Sequence, residues 1–306
     1  MKVGVVGLGY WGPKLARCFK ELGVLEAVCD AHAGPLAQFS MTEAHPLYIR
    51  KTPLFGELLD VVDAVAIATP PETHYALAKQ VLEAGKHVFV EKPLTTSYAD
   101  AIELEALAGS KDLALMTGHI YLHCPGIGVT PVPRGKSELY IHFLNPAGGP
   151  SVSTRDIMWA GLPHAASLAL YFMRGFPKTV ETYRPTNWRV QSRLTFMNGS
   201  KVFIDVGDFT GIRERSVALF YDGTRYEFVS DRPSEVLISR GGSVQTLEGA
   251  LEEPLLRECR DFLTLAGDLR FHPYSESVTG SQVLQLIEAI KDARDPGLIW
   301  RSNSYP

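Results

Sequence analysis

The stretch Val3-Gly4-Val5-Val6-Gly7-Leu8-Gly9-Tyr10-Trp11-Gly12-Pro13 decides how the amino-terminal part of this chain folds. Val3 to Val6 reads as a short buried strand, and a G-x-G-x-x-G turn follows it without a break. Leu15, Phe19 and Leu22 then recur on one helical face. Val24 to Cys29 is a second apolar strand, closed by Asp30. Strand, glycine turn, helix, strand and acid, in that order, form a dinucleotide-binding fingerprint. Gly7 permits the tight turn, Gly9 lets a pyrophosphate approach the backbone, and Gly12 lets helix and strand pack closely. The N–H groups of the first helical turn, with the positive end of the helix dipole, hold the phosphates. Pro13 suits that turn, where its missing donor is not needed. Asp30 falls 30 − 7 = 23 positions after Gly7, close to the ~20 expected for a carboxylate on the ribose hydroxyls. A carboxylate there repels a 2′-phosphate, and neither Ala31 nor His32 is an arginine that would bind one. The expected cofactor is therefore NAD rather than NADP.

Outward from this unit, strands and helices alternate. A helix is predicted over Pro35–Ala44, a short segment over Leu54–Leu59, and a buried strand over Ala64–Ala68 that Thr69-Pro70-Pro71 stops. A helix over Thr73–Ala84 ends at Gly85, His87–Val90 is a strand closed by Glu91-Lys92-Pro93, and Ser97 caps a helix to Ala108. Ala114–Thr117 is one more strand. This alternation predicts a doubly wound parallel sheet of the α/β class. In such sheets ligands bind beyond the carboxyl ends of the strands. Gly7 to Gly12, Asp30, Thr69 to Pro71 and Glu91 to Pro93 all fall at those ends.

After His119 the pattern changes. Tyr121–Pro133, rich in proline and glycine, is expected to cross to a second domain, placing the boundaries at 1–120 and 121–306. Glu138–Leu144 reads as a strand and Leu162–Met173 as a helix. Asn198-Gly199 and Asp222-Gly223 each lie between apolar runs and predict hairpins. The second domain is thus expected to be α+β with an open, mainly antiparallel sheet. Helices return over Pro254–Ala266 and from Ser275 to Ala293.

The totals narrow the function classes. The chain has 306 residues, a formal net charge of −4 and 45% hydrophobic content, so two globular domains are expected and nucleic acid is disfavoured as a partner. Cys18, Cys29, Cys124 and Cys259 have no C-x-x-C spacing, which argues against disulfides and structural zinc and suits a reducing cytoplasm. No apolar run reaches the ~18 residues of a membrane span. The strand at Val3 leaves no room for a signal peptide. His119, His123 and Cys124 have ligand-like spacing on a helix, but Pro125 and strand-like surroundings argue against metal. His119 and Tyr121 are instead expected to line a substrate cleft. Trp159 and Tyr171 fit either core or cleft wall.

With an amino-terminal dinucleotide unit before it, Glu91-Lys92-Pro93 resembles the signature of the glucose–fructose oxidoreductase / inositol dehydrogenase (Gfo/Idh/MocA) family. Gly7-Leu8-Gly9-Tyr10-Trp11-Gly12-Pro13 is similar to the family's opening in its nucleotide-sugar branch. Thr69-Pro70-Pro71-Glu72-Thr73-His74 resembles the loop beside the nicotinamide ribose, and Gly85 through Leu94 resembles the family consensus. Gly118-His119-Ile120-Tyr121 through Pro125 is similar to the segment leading out of the Rossmann domain. The resemblance implies an NAD(P)-dependent oxidoreductase acting on a sugar, nucleotide-sugar or cyclitol, and a homodimer or homotetramer built on the second domain's sheet. It also implies a cis Lys92–Pro93 bond, a catalytic Lys92 that orients the substrate hydroxyl and lowers its pKa, and cofactor contacts from Tyr10, Trp11, Thr69, Pro70, His74, Glu91, Lys92 and Pro93.

The second catalytic segment departs from the family. Members carry an aspartate four residues before a histidine at the start of a second-domain helix. His164 stands in the histidine's place, but position 160 is alanine and Ala165 follows the histidine. Near a helix start, His164 is expected to stay neutral and able to accept a proton. Asp156, four residues before Ala160, is a substitute carboxylate if its segment is extended, and Trp159 is a further substrate contact. The missing acid leaves an alternative open, a nicotinamide-binding sensor or regulatory protein without turnover. A third reading keeps the redox step internal, with bound NAD oxidising and re-reducing one substrate.

Overall fold

The computed structural model describes residues 1–40, 49–146, 157–186, 189–209, 214–229, 232–271 and 278–293. The chain forms two compact units, Met1–His119 with Leu255–Leu284, and Ile120–Pro254 with Gln285–Pro306. The chain therefore re-enters the first unit over Leu255–Leu284, after the whole of the second unit's sheet has been built.

The first unit runs β1 (Val3–Val6), α1 (Gly12–Glu21), β2 (Leu25–Cys29), α2 (Ala33–Gln38), β3 (Arg50–Thr52), α3 (Phe55–Leu59), β4 (Ala64–Ile67), α4 (Pro71–Glu83), β5 (His87–Glu91), α5 (Tyr98–Ser110) and β6 (Leu115–Gly118). Among the described residues its strands form one parallel sheet in the order β3-β2-β1-β4-β5-β6. The order reverses beside β1, which opens a crevice at the strand ends. β1 and β4 are buried at every position, as a sheet covered on both faces requires. Ser97 caps α5 as predicted, its Oγ accepting the Asp100 N–H at 3.4 Å. The helix predicted over Pro35–Ala44 is observed as the shorter α2, which starts at Ala33 and ends at Gln38, before an extended Phe39; residues 41–44 lie outside the described residues. The segment Leu54–Leu59 is the short helix α3.

In the second unit, Tyr121–Pro133 departs from its expected irregular, strand-like course. Ile120–His123 is a 3-10 turn and Pro125–Val129 a short helix, α6. Pro125 occupies the first turn of α6, where proline fits a helix rather than opposing it. Then come β7 (Ser137–Pro146), α7 (Ile157–Ala160), α8 (Leu162–Met173), β8 (Thr179–Thr186), β9 (Arg189–Thr195), β10 (Lys201–Phe209), β11 (Glu214–Tyr221), β12 (Thr224–Val229), β13 (Glu235–Arg240) and β14 (Ser243–Glu248). Among the described residues these strands form a sheet in the order β14-β13-β12-β11-β7-β10-β9-β8. Only the β7–β10 pair among them is parallel. Both predicted hairpins are present. Asp222 and Gly223 take positive φ (50° and 67°), the two-residue turn that matches strand twist.

The chain closes with α9 (Pro254–Gly267) and α10 (Gly280–Asp292), the latter starting later than Ser275. Among the described residues, no helix is long and apolar enough to cross a membrane. All four cysteines are buried free thiols.

Candidate active site

Four strand ends of the first unit are tied together by a run of hydrogen bonds. Gly7 N–H donates to Cys29 O at 2.8 Å, and Ala68 N–H donates to Val6 O at 2.8 Å. Leu8 N–H donates to Asp30 Oδ2 at 2.7 Å, and His32 N–H donates to Asp30 Oδ1 at 2.8 Å. Both Asp30 oxygens are thus held by backbone, which fixes the carboxylate at the end of β2. Further along the same edge, His74 Nε2 lies 2.9 Å from Thr69 O and its Nδ1 lies 2.7 Å from Pro93 O. Burial lowers the His74 pKa, and the two carbonyls, each an acceptor facing a ring nitrogen, oppose that shift. His74 joins the loop after β4 to the turn after β5, and its side chain works through backbone.

The glycine turn separates ligand space from packing space. Gly7 has φ +88°, where a Cβ would be strained and would strike Ala68 and Thr69. A Cβ on Gly12 would overlap the Gly7 carbonyl. A Cβ on Gly9 would meet nothing within 4 Å. Packing therefore explains Gly7 and Gly12, whereas at Gly9 the open space fits the close approach of a bound group. The first turn of α1 carries no acidic residue, and Lys14 Nζ sits 3.6 Å from the Tyr10 ring centroid and 4.5 Å from that of Trp11. A cation beside the positive end of a helix dipole suits a pyrophosphate. The residues present fit a dinucleotide. Gly9→Ala is accordingly expected to leave the melting temperature unchanged while weakening NADH binding at least about tenfold, about 1.4 kcal/mol. Parallel thermal melts and fluorescence titrations check this.

Lys92 follows the last residue of β5, and the Lys92–Pro93 bond is cis. Glu91 is buried, and burial pushes its pKa up to about 7 against the opposing pull of Lys92 and Lys14. A second buried carboxyl, Glu258 of α9, stands close enough to Glu91 that the two repel. His119 lies buried just beyond β6.

The second unit holds its own polar cluster. His164 is the third residue of α8 and is buried. The Tyr121 ring meets it edge-on with centroids 4.9 Å apart, and stacks on Phe143 at 4.7 Å. Arg215 Nη1 donates to Tyr121 Oη at 3.3 Å. Gly161 precedes α8 where a Cβ would run into Val206, so the helix start is seated closely on β10. Trp159 is half-buried on α7, and Tyr171 is buried beside Phe172. Asp156 lies outside the described residues. Among the described residues no group of three or more His, Cys, Asp or Glu side chains could hold a metal ion.

Lys14, Arg215 and Glu258 were not singled out by sequence. Lys14 had a local signal, a cation in the first turn of the fingerprint helix. Arg215 and Glu258 had none, because each meets its neighbours from a distant part of the chain.

The sequence pattern of the Gfo/Idh/MocA family, described as an oxidoreductase family with an NAD-binding Rossmann fold, matches residues 1–119. Residues 1–119 are thus similar to the NAD-binding Rossmann part of that oxidoreductase family. UDP-N-acetylglucosamine 3-dehydrogenase of Acidithiobacillus ferrooxidans is 36% identical over 127 residues, 42% of this chain and 39% of that relative's length. The chain thus aligns with well under two thirds of that curated relative. A solved structure of the same Acidithiobacillus enzyme covers 96% of this chain and 97% of its own, at 25% identity and a TM-score of 0.83. A 3-ketoreductase from Actinomadura kijaniata, solved with NADP and TDP-benzene, shares the fold at 20% identity and a TM-score of 0.77, covering 96% and 98% of the two chains. The expected α/β fold with a second, mainly antiparallel domain is therefore found across both units.

Proposed function

We propose that this chain is an NAD-dependent oxidoreductase that interconverts a hydroxyl and a carbonyl on a sugar, nucleotide-sugar or cyclitol. The observation that carries the reading is the bonded edge from Asp30 through Gly7 and Thr69 to Pro93, which ends at Lys92. When bound, the nicotinamide supplies the hydride acceptor or donor. Lys92 orients the substrate hydroxyl and lowers its pKa, and His164 accepts the proton. Asp30 selects NAD over NADP, because its fixed carboxylate would oppose a 2′-phosphate. The relatives' names support a hydroxyl-bearing nucleotide-sugar as the first substrate class to test. Ala160, in the place of the family's acid, favours the alternative of cofactor binding without turnover. Assembly through the second unit's sheet, as a homodimer or homotetramer, completes the reading, and light scattering tests it.

The test is a fluorescence titration with NADH and NADPH, in wild type and in Asp30→Ala, followed by a panel of sugars and nucleotide-sugars. Micromolar NADH affinity, far weaker NADPH and tenfold or greater loss of NADH in Asp30→Ala, about 1.4 kcal/mol, are expected. Equal affinity for the two cofactors in the wild type would remove Asp30 from its role. NADH binding with no turnover on the panel would leave the alternative standing.

A further inference from the structure

His32 stands two residues beyond Asp30, just past β2 and immediately before α2. Its side chain is 86% exposed, so packing does not explain it, and it makes no capping bond to α2. What the ring does hold is Asp30. Ring Nδ1 lies 3.2 Å from Asp30 Oδ1, the oxygen that also accepts the His32 N–H, while Oδ2 accepts the Leu8 N–H. Both oxygens act as acceptors, so Nδ1 carries the hydrogen of that contact. The tautomer is thereby fixed. Nε2 is then an acceptor in the neutral ring and a donor in the charged one. Three of the roughly four acceptor sites of the Asp30 carboxylate are taken in this way. A ribose offers two hydroxyls at this strand end, so a second acceptor is needed beside the acid. In dinucleotide folds that acid meets the ribose 2′-hydroxyl, and the His32 ring is therefore fastened to the group that faces the one position where NAD and NADP differ. Among the described residues, the other charged groups about this strand end are few. Glu57 of α3 acts with Asp30 on the Cys29 thiol, and Lys51 of β3 donates to Leu36 O and Phe39 O. Arg17, paired with Glu21, and Lys20 line a cavity of about 630 Å³ with Leu8, Gly9 and Phe39. Histidine is the side chain that ordinarily changes charge between about pH 5 and 8, so the ring carries the pH dependence here.

We infer that His32 is a specificity-determining residue that reads the 2′ position of the adenosine ribose. Its neutral ring accepts the 2′-hydroxyl of NAD at Nε2, and its charged ring donates to the 2′-phosphate of NADP. The inference rests on the reading of the chain as a nicotinamide-dependent oxidoreductase and deepens the part given there to Asp30. With a neutral ring the carboxylate opposes a 2′-phosphate and NADP is disfavoured. With a charged ring the imidazolium offsets the carboxylate and adds a charge-assisted hydrogen bond. Preference for NAD is therefore strongest in alkaline solution and falls as pH drops.

The test uses the full chain as wild type, His32→Gln and His32→Arg. Each is titrated calorimetrically with NAD and with NADP at about pH 6 and about pH 8.5, which bracket the ordinary histidine value. The 2′-phosphate itself takes up a proton at about pH 6 in every protein, so the quantity read is the difference between wild type and His32→Gln. From the higher pH to the lower, the ratio of the NADP to the NAD dissociation constant is expected to fall at least about fivefold further in the wild type, as for a hydrogen bond that gains a charge. His32→Arg, a permanent cation, is expected to bind NADP better than His32→Gln does at both pH values. An equal change in wild type and His32→Gln overturns the inference. So does a His32→Arg protein that discriminates against NADP as strongly as His32→Gln. Its failure is separable from failure of the oxidoreductase reading. NAD binding with a ratio indifferent to His32 removes the inference and keeps the cofactor site. No binding of either nucleotide removes both. A pH-dependent ratio that follows His32, without hydride transfer on the sugar panel, keeps the inference and removes the activity.

Discussion

Lys92→Ala is expected to lower turnover by about 10²–10⁴ while NADH affinity stays near that of the wild type, as befits loss of the group that orients the substrate hydroxyl and lowers its pKa. The lysine follows a strand buried over its last four positions, and the neighbouring turn is held through Pro93 O by His74. Gly7, Asp30 and the start of α1 carry the binding, so affinity and turnover should separate. Lys92→Arg keeps the charge but replaces a compact ammonium with a planar fork, and it is not expected to restore turnover. Steady-state rates with the best substrate of the panel, beside an NADH titration of each variant, check both points. Wild-type turnover in Lys92→Ala would remove the lysine from the chemistry.

The second large effect concerns pH and stability. Glu91 and Glu258 are both buried, and burial is the main cause that raises each carboxyl's pKa. Their mutual repulsion adds to it at Glu258, where Asp261 and Cys18 also oppose ionisation. The fold itself holds them close. Phe262, one turn beyond Glu258 on α9, packs edge-on against Phe89 of β5 at 5.8 Å and Phe19 of α1 at 6.4 Å. Glu91 lies two residues beyond Phe89 on the same strand.

A carboxyl with a raised folded-state pKa keeps its proton in the native chain after the unfolded chain has released it. The stability it contributes is complete below the unfolded value of 4.5 and is lost as pH rises through the folded value, about 7 for Glu91. Each pH unit inside that window removes about 1.4 kcal/mol per group, so Glu91 alone accounts for roughly 3 kcal/mol. The two groups titrate as a pair, and Glu258 extends the window upward. Glu258→Gln keeps the shape and removes one of the two ionisations. The variant is expected to match the wild type near pH 4.5 and to exceed it by a growing margin as pH rises, with a melting temperature several degrees higher at pH 8. Thermal melts of both proteins across pH 4.5–9 measure the difference directly, and trends common to both cancel. A constant difference across that range would show that the Glu258 proton is not linked to folding.

The amino-terminal unit was legible in the sequence because its signals are local. A buried strand, a turn that only glycine can make and an amphipathic helix each depend on neighbours within a few residues. The same holds for the Asp222-Gly223 hairpin, the Ser97 cap and the placing of His164 at a helix start. The weaker elements escaped for the converse reason. β3 is three residues long, and every residue of β14 is exposed, so neither shows an apolar period to read.

Residue types and local periods were enough to determine the dinucleotide fold and to place Asp30 at a strand end, and the motif around Lys92 was read from its resemblance to a known family. Only the tertiary structure decided that Glu258 stands by Glu91, that Arg215 bonds to Tyr121 across 94 positions, and that His74 joins Thr69 to Pro93. Such pairings depend on strand order, register and the return of α9 to the first unit. No local pattern encodes these, because the partners become neighbours only when distant segments pack together to bury their apolar faces.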